Sequence, residues 1–196
     1  MRIIIITSPA AVEGETASIA RLLDSGVVDR LHLRKPSLRE DEMRLLIERI
    51  PERLYPAISI HDHHHLAPEY GLGGIHLNSR NPLPPEGGFP GFVSRSCHSV
   101  DEVKKALLTD NVNYCFLSPL FDSVSKNGYK GAIDDAECQA LSSEGLLTER
   151  VIPLSGITPE RLPEVARLGF KGAAILGAAW ESPSIDDFIN RLRNLK

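Results

Sequence analysis

At 196 residues, 24% of them charged, and a net charge of −4, the chain has the size and balance of one globular domain. No basic cluster offsets the acidic excess, which argues against a nucleic-acid or anionic-membrane partner. No run approaches the roughly 18 consecutive apolar residues of a membrane span. Three cysteines, Cys97, Cys115 and Cys138, form neither a C-x-x-C pair nor an even set. A disulfide framework and a structural zinc site are therefore disfavoured, and reduced, buried thiols of a cytoplasmic protein are expected.

Met1-Arg2 followed by Ile3 to Ile6 is too short for the apolar core of a signal peptide, so it is read as a buried strand. From there, short apolar runs alternate with amphipathic segments to the end of the chain. Strands are predicted at 3–7, 30–34, 57–61, 74–78, 92–97, 114–118, 151–155 and 173–176. Eight is the number that closes a parallel barrel. Helix signals fall between them. Ser37 with Glu40 and Ser99 with Glu102 have the spacing of a capping box. Thr158-Pro159 supplies an N-cap followed by a proline that needs no donor. Met43, Leu46, Ile47 and Ile50 share one helical face, as do Ile185, Phe188, Ile189 and Leu192. Gly26, Gly71 and Gly169 stand where helices should stop in a left-handed turn. The stretch 80–91 is too rich in proline and glycine for a helix, so the fourth helix is expected to be a loop. With no shift in composition along the chain, residues 1–196 are read as one (β/α)8 barrel domain of parallel strands. An open doubly wound sheet is the alternative that the same alternation permits.

Active sites of such barrels are built from strand C-termini and the loops after them. That rule selects Thr7-Ser8, His32 and Arg34, His61 and Asp62, His76 and Asn78, Ser96 and His98, Ser118, Ser155-Gly156 and Gly177-Ala178. His32 and Arg34 are two apart and share a face. Gly156 and Gly177 lack side chains, so backbone amides can close on an anion at the two loops where barrels commonly hold phosphate. Ser123, Ser125 and Lys126 suit a clamp for a more highly charged phosphate group, or a solvated loop. The run His61 to His65 invites a zinc reading through His61 and His65. Strand 1 lacks a His-x-His pair, however, and Asp62 alone is the better candidate, as a hard oxygen ligand for magnesium. His63 to His65 are then expected to form an exposed first helical turn. His98, near neutrality in its unperturbed pKa, is the general acid/base candidate.

These residues, in this order, resemble the thiamine phosphate synthases and the related TenI-type thiazole tautomerases over nearly the whole chain. The blocks that carry the likeness are His32-Leu33-Arg34-Lys35-Pro36, Ile60-His61-Asp62, Gly74 to Asn81, Ser96-Cys97-His98-Ser99, Ser118 to Lys126 and Ser155 to Pro159. The resemblance implies an enzyme that joins hydroxymethylpyrimidine diphosphate to a thiazole phosphate and releases diphosphate, and a homo-oligomer is expected. On matched positions Arg34, Ser96, Ser123, Ser125 and Lys126 would hold diphosphate. Gly156 and Gly177-Ala178, beside Ser155, would hold the thiazole phosphate. His32, His61 and Asn78 are further substrate-binding candidates, and Asp62 and Asn81 stand at the magnesium positions. Several residues depart from the pattern. Pro36 replaces a lysine, His32 a glutamine, His61 an asparagine and Asn81 a carboxylate. Such losses suit a tautomerase, in which the histidine at the His98 position moves the proton. Retention of Asp62, Ser123, Ser125 and Lys126 favours the synthase. A non-catalytic sensor of thiamine phosphate is the reading from another class.

Overall fold

The structure, a computed structural model, describes residues 1–110, 112–122, 133 and 135–195. All eight predicted strands form: β1 (Arg2–Ile6), β2 (Arg30–Leu33), β3 (Ile58–Ile60), β4 (Gly74–Leu77), β5 (Phe92–Cys97), β6 (Tyr114–Leu117), β7 (Val151–Pro153) and β8 (Gly172–Ile175). Every paired neighbour is parallel, in the order β7-β6-β5-β4-β3-β2-β1-β8. The two end strands, β7 and β8, lie against each other, so the ladder curls into a barrel. An open sheet with two free edges is thereby set aside.

Helices α1 (Glu15–Asp24), α2 (Glu40–Glu48), α3 (Leu66–Tyr70), α4 (Val100–Lys104), α5 (Asp135–Ser143), α6 (Leu162–Arg167), α7 (Gly177–Trp180) and α8 (Ile185–Arg193) surround it. Alternation along the strands produces two cores. Outward residues such as Ile3, Leu31, Ile60 and Cys115 pack under helix residues such as Ile19, Met43 and Phe188. Inward residues Ile4, Ile6, Tyr114, Phe116, Ile152 and Ala174 fill one half of the barrel. The other half, on β2 to β5, is polar: His32, Ser59, His76 and Ser94 are buried there, as is His61 just past β3. That asymmetry makes the upper barrel a candidate site instead of a dry core.

As expected, residues 78–91 carry no helix, and Gly26, Gly71 and Gly169 take positive φ of 71°, 70° and 95°. Ser99 caps α4, its hydroxyl accepting from the Glu102 amide at 3.2 Å. The box expected at Ser37 and Glu40 is displaced. A turn closes from Leu38 N–H to the Lys35 carbonyl, the chain stays extended at Arg39, and Glu42 takes the Arg39 amide at 2.8 Å. His63 to His65 are also corrected. His64 is buried, bonding the His76 carbonyl at 3.1 Å, and helix α3 begins only at Leu66.

Candidate active site

A cavity of about 820 Å3 opens at the C-terminal ends of the strands, a volume suited to a small-molecule ligand. Arg34 and Arg80 stand on one wall. His61, His76 and Phe116 form the floor, and Ser155-Gly156 and Gly177-Ala178 lie across the barrel.

Arg34 is placed by Thr7, whose hydroxyl accepts from the Arg34 amide at 2.8 Å and donates to its carbonyl at 3.3 Å. Partial burial and the neighbouring Arg80 charge lower its pKa, an effect Asp62 offsets. Lys35, next in sequence, points away. It is buried in an ion pair with Glu15 at 2.7 Å and donates to the Ala10 carbonyl at 2.6 Å, tying β2 to α1.

The floor is a hydrogen-bonded histidine network. His61 and His76 stack with ring centroids 4.1 Å apart. His32 bridges downward, 2.9 Å from His61 Nε2 and 2.6 Å from the Tyr114 hydroxyl. Ser94 donates to the Ile75 carbonyl at 3.2 Å, so it accepts from His76 Nδ1 at 2.9 Å. His76 Nε2 is then the acceptor for the Ser96 hydroxyl, also at 2.9 Å. Burial, then nearby histidine and arginine charges, pushes His76 down to about 3 and His32 and His61 well below the usual histidine range. All three imidazoles are neutral at physiological pH. Their nitrogens lie close enough together to hold a metal ion. The burial and nearby arginines that oppose protonation also oppose a dication, and among the described residues no carboxylate joins the cluster. The zinc reading through His61 and His65 fails separately, because His65 is exposed and pairs with Glu40 at 3.1 Å.

His98 lies at the rim. Its Nδ1 donates to the Ser118 carbonyl at 2.9 Å, and its Nε2 has no partner among the described residues. Across the cavity Ser155 and Gly156 have φ of 90° and 64°. A Cβ on Gly156 would sit 2.4 Å from the Asp122 carbonyl oxygen. The loop therefore closes on residues 121–122 only because that position is glycine.

Of the expected site residues, Arg34, His61, Ser96, His98, Ser155, Gly156, Gly177 and Ala178 line one cavity, as does Asn78. Asn78 uses its side chain for the loop, however, accepting from the Arg80 and Asn81 amides. His32 is a correction: it is fully buried one layer below Arg34 and supports the floor instead of meeting a ligand. Ser123, Ser125 and Lys126 lie outside the described residues. Trp180 donates to the Ile6 carbonyl at 2.7 Å, joining α7 to β1. Sequence reasoning passed over Arg80 as a functional residue, since nothing in its loop spacing marks it. It lines the cavity and holds Asp62 with both arms of its guanidinium, Nε to Oδ1 at 3.0 Å and Nη2 to Oδ2 at 3.1 Å.

This geometry agrees with comparisons to known proteins. Residues 3–179 match the profile of the family described as thiamine monophosphate synthase. The thiamine-phosphate synthase of Lactococcus lactis is 24% identical over 184 residues, covering 89% of this chain and 83% of that protein. That of Listeria monocytogenes is 26% identical over 158 residues, 78% and 73% of the two chains. With the Limosilactobacillus reuteri enzyme the match is 23% over 141 residues and spans 64% of that protein's length. Among solved structures, thiamine phosphate pyrophosphorylase from Bacteroides thetaiotaomicron superposes with a TM-score of 0.83 at 32% identity, covering 100% of this chain and 97% of that one. By its profile match and by this structural relative, the chain belongs to the thiamine monophosphate synthase family.

Proposed function

We propose that this barrel, residues 1–196 as one catalytic unit, joins hydroxymethylpyrimidine diphosphate to thiazole phosphate and releases diphosphate. The observation that carries this reading is a single cavity with two sides whose chemistry suits anions: a guanidinium wall at Arg34 and Arg80, and an open backbone loop at Ser155-Gly156 and Gly177-Ala178. Two phosphorylated substrates need two such sides. The floor suits the chemistry between them. Loss of diphosphate leaves a cationic pyrimidinylmethyl group, which protonated imidazoles would repel, and the floor histidines are held neutral. Both ring nitrogens of His76 are hydrogen-bonded, which makes it a poor competitor for the electrophile.

Magnesium is the cation that the resemblance implies, through Asp62 and Asn81. The donor set does not fit it. Both Asp62 oxygens are taken by Arg80, and Asn81 turns its amide nitrogen, a donor, to Asp62 Oδ1 at 3.0 Å and to the His61 carbonyl at 3.1 Å. His98, whose Nε2 has no partner among the described residues, and the poor magnesium donor set are the features that favour a thiazole tautomerase. The named relatives are synthases, and the synthase is the reading adopted. Turnover with both substrates, followed by diphosphate release with and without magnesium, tests it. Isotope exchange on the thiazole carboxylate phosphate alone, without diphosphate release, would support the tautomerase. Tight retention of thiamine phosphate with neither activity would leave a sensor.

A further inference from the structure

The geometry points to Arg80 as the cation that this chain supplies, from its own sequence, to the departing diphosphate in place of a divalent metal. The inference rests on the synthase reading and goes beyond it.

Asp62 is the carboxylate expected to carry a metal, yet its side chain is only 13% exposed and does not line the cavity. Arg80 lies between it and the open space, 44% exposed and part of the cavity wall. A guanidinium has five N–H donors in a planar fork. Two of Arg80's are spent on Asp62, and no other hydrogen bond from its side chain is present among the described residues, so three remain for a ligand. Asp62 thus fixes the rotamer of a cation whose free edge faces the substrate. The loop is fixed as well. Asn78 Oδ1 accepts from the Arg80 amide at 2.9 Å and from the Asn81 amide at 3.2 Å. Arg34 has no ion-pair or hydrogen-bond partner for its guanidinium among the described residues, and it is near enough to Arg80 to feel its charge. Two guanidiniums against one carboxylate leave an excess positive charge facing the cavity, which a diphosphate would neutralise.

The chemistry balances without a metal. The bond from the pyrimidine methylene carbon to the diphosphate oxygen breaks, and its electron pair leaves on diphosphate. The lone pair of the thiazole ring nitrogen forms the new C–N bond. Nothing is oxidised and no proton need move. What the protein must provide is positive charge at the departing oxygens, and a bidentate arginine matches phosphoryl oxygens in shape and sign.

The test uses the full chain after chelation, with two readouts. In calorimetry the probe is inorganic diphosphate in excess EDTA. Wild type should bind, and Arg80→Met should bind at least tenfold more weakly, with Arg80→Lys between them. In turnover, wild type should keep its rate in EDTA to within about twofold. Arg80→Met should lose at least a hundredfold there and regain part of it when magnesium is added, because Asp62 is then freed for the metal. A merely structural arginine would show no such rescue, and melting curves of both variants report on folding. Wild-type turnover that disappears in EDTA and returns with magnesium overturns the inference while leaving the synthase intact. Diphosphate binding unchanged in Arg80→Met overturns it as well. No turnover under any condition overturns the synthase reading, and the calorimetry then still decides whether Arg80 binds the anion.

Discussion

Replacing Gly156 with alanine tests whether the loop after β7 depends on close backbone approach. At φ of 64° an L side chain pays about 1–2 kcal/mol for the left-handed conformation. The added Cβ would also lie 2.4 Å from the Asp122 oxygen and 2.7 Å from Phe121 Cβ, so the neighbouring loop must shift. Overpacking of that kind costs about 1–3 kcal/mol. The sum is about 2–5 kcal/mol, and for a chain of this size each 1 kcal/mol lowers Tm by about 2–4 °C. Gly71→Ala is the control. Its φ of 70° carries the same conformational cost, but nothing lies within 4 Å of the added carbon. Thermal melting should therefore place Gly156→Ala clearly below Gly71→Ala. Calorimetry with thiazole phosphate should show affinity down at least tenfold for Gly156→Ala and unchanged for Gly71→Ala. Equal melting temperatures, or unaltered affinity for the Gly156 variant, would refute the account of the loop.

Glu160 pairs with Arg191 at 2.8 and 2.9 Å, and this partner holds its carboxyl down to about 2. A depressed carboxyl stabilises the fold above its ordinary pKa and loses that contribution as pH falls from about 4.5 towards 2. Because Glu160 is 57% exposed, screening limits the effect to about 0.5–1 kcal/mol. Urea denaturation of Glu160→Gln should show that deficit at pH 7 and a narrowing gap below pH 4. Glu181 places a carboxylate oxygen 3.2 Å from where a Gly177 side chain would begin, beside the expected phosphate loop. Glu181→Gln should therefore tighten inorganic phosphate binding about two- to fivefold at low salt, a gain that added salt erases. Tyr114→Phe removes the partner of His32 Nε2 at the bottom of the network. Leaving that buried group unpaired should cost about 1–3 kcal/mol in chemical denaturation, with KM unaltered because Tyr114 does not line the cavity.

The strands were legible by two patterns: continuous apolar runs where both faces are apolar, as in Ile3 to Ile6, and alternation of polar and apolar residues where the inward face is polar, as in Arg30-Leu31-His32-Leu33. Side-chain parity was legible too, and it placed His32 and Arg34 on one inward face. Parity does not report depth. Inward residues of a barrel stack in layers, so His32, two residues below Arg34, is sealed under the floor it supports. The spacing of Ser37 and Glu40 misled because many serines stand three residues before a glutamate, and only the local turn decides which residue starts the helix. Arg80 was illegible for a different reason. It belongs to a loop without periodicity, and its importance comes from reaching Asp62, 18 residues earlier, through the fold.

The helix missing between β4 and β5 leaves the chain a natural place to be cut. Around Gly87 and Gly88, both at positive φ, the backbone makes one tight turn, from Gly88 N–H to the Pro85 carbonyl. Leu83 nearby is 74% exposed. No strand pairing passes through this segment, so new termini opened between the two glycines would leave every ladder intact. A circular permutant starting at Gly88, its old ends joined by a flexible linker, should still assemble all eight strands, since the order of the ring does not depend on where the chain begins. The same openness makes this, among the described residues, a bond that a protease should find in the native protein ahead of any loop that a helix covers.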